Sequence, residues 1–205
     1  MKISRIILSF LFLGFVLSGF ILFQKQNNAA AQLLSEEGEK IHWHSFQEAV
    51  ELSKKEKKKV FIDVYTQWCG WCKVMEKNTF TNPVIAKYVN KHFYAVKLDA
   101  EMKDTIVFNN YTFVNPPDTI NPSRKTTHQL AASLLNNRLS YPTTVYLDEN
   151  FNMLTQVASY LPPDQLEPIL KYFGENAYFN TKWEDYQKIF KGEITAPPPP
   201  ITPPH

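Results

Sequence analysis

Two cysteines, Cys69 and Cys72, are the only ones in the 205-residue chain, and they stand two residues apart in "WCGWCK". A disulfide across so short a loop restricts the unfolded chain little, so the pair is poorly explained as a structural staple. Thiol–disulfide exchange explains it better: a thiolate at one position attacks, and a second thiol within bonding reach resolves the mixed disulfide. Two other uses of Cys-x-x-Cys are less well served. A structural zinc site needs four ligands, and there is no second cysteine pair; His42 and His44 of "HWH" could complete a set, but at a spacing unlike a finger. Haem attachment needs a histidine directly after the second cysteine, where this chain has Lys73.

The elements around the pair would place it at a helix start. "VFIDVY" is a short apolar run with β-branched residues and reads as a buried strand. A helix follows from about Gly70, with Cys69 at its N-terminus. The free N–H groups and positive dipole end there favour a thiolate and lower the cysteine pKa. Cys72, three residues on, falls on the same helical face. Asp63 sits in the middle of the apolar strand, where an isolated charge is costly. It is either on an exposed face or capping, or it is a buried acid of raised pKa that accepts the Cys72 proton. "FYAVKLD", Phe93 to Asp99, is a second strand, parallel to the first through a right-handed βαβ unit.

The rest of the chain is punctuated by recognisable stops. Ser45 and Glu48 have capping-box spacing, and Phe46, Ala49, Val50 and Leu52 make an apolar helix side. Asn82 and Pro83 open another helix. Thr126 and Gln129 have capping-box spacing in "TTHQLAASLLNN", which reads as another helix. "TTVYL" from Thr143, a turn at Asp148 to Asn150, and a return from Met153 to Ser159 form an antiparallel hairpin. "PPDQLEPILKYFG" is a helix opened by prolines and closed by Gly174, and "NTKWEDYQKIFKG" is the last one. Residues 101–125 are irregular, with a hairpin expected around Asn109-Asn110.

The formal net charge is +2. No strong field is set up for nucleic acid or acidic substrates, and no nucleic-acid partner is expected. Lys2 and Arg5 precede an unbroken run of apolar, glycine and serine residues from Ile6 to Phe23. Ala29 and Ala31 then supply small residues at a cleavage site, so residues 1–31 read as a signal peptide or as a retained N-terminal membrane anchor. Either reading sets the remainder outside the cytoplasmic membrane, in the periplasm or its equivalent. Residues 40–192 are expected to form one domain, and the proline-rich end, 193–205, a disordered tail.

Together "WCGWCK", Asp63 six residues before the first cysteine, Lys97 in "VKLDA" and Pro142 in "SYPTT" resemble the thioredoxin superfamily. The likeness covers about Ser45 to Phe173. It implies an α/β thioredoxin fold: a central mixed sheet with helices on both faces, an insertion ahead of the proline-bearing helix and hairpin, and a cis Tyr141–Pro142 bond beside the cysteines. It also implies roles. Cys69 attacks, Cys72 resolves, Asp63 handles the proton, and Pro142 shapes the site. Trp68, Gly70, Trp71, Tyr141 and Thr143 border the substrate. No bound cofactor or metal is expected. The expected partners are protein thiols and disulfides, with a dithiol electron donor or acceptor in the membrane or envelope.

Two departures stand out. Trp71 replaces the family's proline between the cysteines, so the direction of electron flow is not legible. Residues 101–125 form an extra segment whose Phe108, Tyr111, Phe113 and Val114 either pack on the domain's own core or extend a substrate groove beside Trp71 and Tyr141. The alternative to an enzyme is a thioredoxin-fold module of the envelope that binds peptides or partners without redox work.

Overall fold

A strand of seven residues, Lys59–Tyr65 (β2), runs through the middle of the molecule. The computed structural model describes residues 39–194. Beside β2 lie Phe93–Asp99 (β3), parallel to it, and Thr143–Leu147 (β6), antiparallel. Trp43–His44 (β1) pairs in parallel with the far side of β3, and Met153–Ala158 (β7) antiparallel with β6. The order is β1-β3-β2-β6-β7, a mixed five-stranded sheet. Ile106–Phe108 (β4) and Tyr111–Phe113 (β5) make a separate two-stranded ribbon. Its turn is Asn109-Asn110, both at positive φ, as a tight hairpin of this type requires.

Strand alternation sorts the core into two layers. Val60, Ile62 and Val64 of β2 face Phe46–Lys55 (α1) and Gln129–Leu134 (α4). Phe61 faces the other way, toward Gly70–Asn78 (α2), Pro83–His92 (α3) and Pro163–Gly174 (α5). Helices therefore cover both sheet faces, and the resemblance to the thioredoxin fold is realised in the architecture. Trp183–Ile189 (α6) follows as the last helix.

Caps explain where the helices begin. The Ser45–Glu48 capping box is formed in both directions. Asn82 accepts from the Val84 and Ile85 N–H groups, with Pro83 in the first turn. The cap of α4 differs from expectation. His128, not Thr126, takes that place, and its Nδ1 accepts from the Leu130 N–H. Gln129 is drawn instead to the Val114 N–H. The side-chain hydroxyl of Thr126 goes to Asn115. Long-range bonds have overridden the local capping pattern.

The expected signal or anchor, residues 1–31, lies outside the described residues, as do residues 195–205 of the expected tail. Glu193 and Ile194, placed by the sequence reading at the start of that tail, donate their backbone N–H groups to the buried Glu167 carboxylate at 2.8 and 3.0 Å. Among the described residues no helix is long and apolar enough to cross a membrane.

Candidate active site

Cys69 is the N-cap of α2, and its Sγ accepts from the Cys72 N–H at 3.0 Å. A thiolate at this atom keeps that donor and gains the positive end of the helix, both of which favour the charged form. Here Cys69 and Cys72 are joined in a disulfide with a Cα–Cα distance of 5.3 Å. Both are only 5% exposed, so the disulfide meets solvent at a small opening rather than on an open surface. Gly70, between them in the first turn, is half-buried.

The two strands beside β2 deliver the remaining residues. Val64 pairs with Thr143, so the Tyr141–Pro142 dipeptide just before β6 lies alongside the end of β2 from which the chain continues to Cys69. The Tyr141–Pro142 bond is cis, as the resemblance implied. The Pro142 carbonyl accepts from the Ser159 N–H at 2.9 Å, which ties it to the end of β7. Thr143 is buried, and its hydroxyl donates to the Ser140 carbonyl at 2.8 Å.

Asp63 is buried on the sheet face that α2 covers. Asp63 and Lys97 occupy paired positions of β2 and β3, and Lys97 Nζ donates to Asp63 Oδ2 at 2.6 Å. The other oxygen, Oδ1, is buried without a hydrogen-bond partner among the described residues. Burial pushes the Asp63 carboxyl above the ordinary carboxylate range, and Lys97 only partly opposes it. Lys97 itself is pulled down by burial, but Asp63 and Glu76 outweigh this and keep the ammonium charged. The two directions agree, because Lys97 is held by two carboxylates and Asp63 by one cation.

Glu76 was not singled out in the sequence. It bonds Lys97 Nζ through Oε2, and it lies four residues after Cys72, one helical turn along the same face. That spacing was its available signal. The rings of Trp43, Tyr65 and Phe80 surround the Lys97 ammonium at 4.8 to 5.0 Å from their centroids, an arrangement favourable to a cation.

Aromatic side chains flank the disulfide in two pairs. Trp68 meets Tyr141 edge-on at a centroid distance of 6.0 Å. Trp71 stacks on Tyr160 at 5.3 Å. Trp68 is 59% exposed, yet its indole N–H is fixed, donating to Glu101 Oε1 at 2.8 Å. Neither Glu101 nor Tyr160 carried a local signal, since each meets its partner only through the fold.

The insertion packs on the domain itself. Ile106 is buried in the layer beneath α1, and the Phe108 ring meets Phe46 and Phe151 at 5.3 and 5.2 Å. Phe113 joins the same layer. Trp71 stands on the opposite sheet face with Tyr160, so these rings do not extend a groove beside it. The insertion approaches the cysteines instead at Trp68, whose indole N–H is bonded to Glu101.

Of the two histidines weighed as zinc ligands, His42 donates its backbone N–H to Asn90 Oδ1, and the His44 ring sits edge-on to Tyr94. Among the described residues no cluster of three or more His, Cys, Asp or Glu is arranged to hold a metal ion.

The chain is similar to an uncharacterized protein of Caenorhabditis elegans, with 28% identity over 153 residues, 74% of this chain and 18% of the nematode protein. It is also similar to spermatogenesis-associated protein 20 of Mus musculus, with 33% identity over 89 residues, 43% of this chain and 11% of the mouse protein. The chain thus spans a small part of these two relatives. Among solved structures it resembles a DsbH oxidoreductase at 17% identity and a TM-score of 0.46, covering 66% of this chain and 85% of that one. A thioredoxin-fold protein from Helicobacter pylori is similar at 20% identity and a TM-score of 0.49, covering 64% and 79%. A family profile named Thioredox_DsbH, described as "Protein of unknown function, DUF255", matches residues 24–193. The chain belongs to that thioredoxin-like family.

Proposed function

We propose that the protein is an exported thiol–disulfide oxidoreductase that exchanges its Cys69–Cys72 dithiol or disulfide with protein substrates. The observation that carries this reading is the capping of a helix by Cys69 Sγ while a buried acid, Asp63, with one oxygen unpartnered, lies on the sheet face under that helix. A structural disulfide needs neither feature. Export rests on the sequence reading of residues 1–31.

In the reducing direction the Cys69 thiolate attacks one sulfur of a substrate disulfide. A mixed disulfide forms, and the other substrate sulfur leaves as a thiolate that takes up a proton. Asp63 accepts the Cys72 proton, and the Cys72 thiolate attacks Cys69 Sγ. The second substrate thiol is released, two electrons have passed to the substrate, and the Cys69–Cys72 disulfide is formed. A dithiol protein of the membrane or envelope would reduce it again. Oxidation is the same sequence reversed. Trp68, Trp71 and Tyr141 offer aromatic surface to the substrate chain beside Pro142.

The reduction potential tests the reading and sets the direction. A value near about −270 mV marks a reductant and one near about −120 mV an oxidant. A pair that neither reduces nor oxidises any disulfide leaves a partner-binding module of the same fold.

A further inference from the structure

His128 is fully buried, and both of its ring nitrogens are taken. Nδ1 faces the Leu130 N–H at 3.2 Å, and Nε2 faces the Asp104 carbonyl at 3.0 Å. An amide N–H can only donate and a carbonyl can only accept, so Nδ1 carries the lone pair and Nε2 the proton. Only the neutral ring, in this one tautomer, makes both bonds. The ring thereby joins the entering side of the insertion, at Asp104, to the start of α4 just past its end. The His128 backbone N–H adds a bond to the Ala100 carbonyl at 2.7 Å, and the Ala100 N–H continues to the Tyr65 carbonyl at 2.8 Å. The clasp is therefore anchored on the end of β2 that leads to Cys69.

The surroundings oppose a second proton on the ring. Burial pushes the His128 pKa below its ordinary value of 6.5, and the Asp104 and Phe113 carbonyls and the exposed Asp104 carboxylate only partly restore it. The neighbouring charges are engaged with other partners. In the insertion, Lys103 Nζ donates to the Thr126 hydroxyl, and Lys125 pairs with Glu101. At the end of β3, Asp99 accepts from Gln67 and from the Glu101 N–H. Helix α1 presents the neutral Gln47, which donates to the Thr105 carbonyl, and α4 carries no charged residue. A proton on Nδ1 would set a donor against the Leu130 N–H and end the cap. The residues that ordinarily cap a helix hold one charge state between about pH 5 and 8, whereas histidine changes its own there.

We infer that His128 is an acid-sensitive clasp: the neutral ring holds the insertion to the start of α4, and protonation releases both while the central sheet stays folded. The inference is independent of the redox reading, since no step of exchange passes through this ring. The clasp is fully formed above the ordinary histidine pKa and weakens as pH falls below it toward the folded-state value.

Site-resolved amide hydrogen exchange on the full oxidised chain tests this between about pH 7.5 and 4.5. Ring nitrogen resonances near neutrality should show the Nε2–H tautomer. Protection at Leu130, Gln129 and Val114, taken relative to the free peptide, should fall about tenfold per pH unit below the ordinary histidine value, as uptake of one proton on opening requires. Ile62 in β2 and Val145 in β6 should keep theirs. His128→Asn retains an acceptor for the Leu130 N–H but does not titrate, so it loses the acid response. Asp104→Asn retains the response, because the ring bonds the Asp104 backbone. The inference is overturned by protection that does not change with pH, by a response that survives in His128→Asn or vanishes in Asp104→Asn, by loss that spreads to Ile62 and Val145, or by the Nδ1–H tautomer. If His128→Asn does not fold, the tautomer and the pH slope of the wild type still decide.

Discussion

Lys97 Nζ lies 2.6 Å from Asp63 Oδ2, and the cation is shared with Glu76, so the buried carboxyl receives only part of the charge that would ionise it. Replacing Asp63 with Asn tests what that arrangement does. Release of the Cys69 mixed disulfide should slow about 100-fold, the lower end of what a positioned base contributes. Stopped-flow rates matching wild type between about pH 6 and 9 would remove Asp63 from the mechanism.

The same change should alter stability with a defined sign. The Asp63 pKa is raised in the folded state from an ordinary value of 3.8, so the folded protein binds the proton more tightly than the unfolded chain. Its contribution is fully present below the unfolded pKa and is lost as pH rises through the folded one. At neutral pH Asp63→Asn should therefore be more stable than wild type in urea, and the difference should vanish below about pH 4. A less stable variant at neutral pH would show that the Lys97 pair outweighs the burial cost.

Glu76→Gln removes a neighbouring negative charge and leaves Lys97 to Asp63 alone. Both changes lower the Asp63 pKa, because Glu76 acts to raise it. The limb of the pH–rate profile that reports Asp63 ionisation should move to lower pH, with little change in the fold. A profile that stays in place, or moves upward, would show that Glu76 does not tune the acid.

Cys72→Ser leaves Cys69 able to attack but nothing to resolve the product. Mixed disulfides with envelope proteins should accumulate on non-reducing gels and disappear when Cys69 is also replaced. Absence of adducts, together with a wild type that exchanges with no disulfide, favours the partner-binding module.

Ile106 is 1% exposed within the layer under α1. Ile106→Ala should cost about 2–5 kcal/mol, the range for truncating a buried aliphatic side chain. A loss below about 0.5 kcal/mol, as at an ordinary surface site, would mean that the insertion is not part of the core.

Much of the site was legible because its signals are local. The strand Phe93–Asp99, the helix start at Gly70, the cap at Asn82 and the hairpin turn at Asn109-Asn110 depend on residues within a turn of one another. Alternation along β2 put Asp63 with Phe61, and the likeness of "VKLDA" and "SYPTT" to a known family brought Lys97 and Pro142 to it. Capping at residues 126–129 misled for the opposite reason: Thr126 and Gln129 have the right spacing, but Asn115 and Val114 take their side chains.

The chemistry available, two thiols at a helix start and an acid in an apolar strand, can be read from neighbouring residues, because periodicity and capping are local. What surrounds those groups follows from the folded chain. Trp68 meets Glu101 across 33 residues, and Trp71 meets Tyr160 from the far end of the hairpin. Those contacts depend on how β3 and β6 register against β2 and on which sheet face each loop leaves, and register is set by the packing of the whole core rather than by any short stretch of sequence.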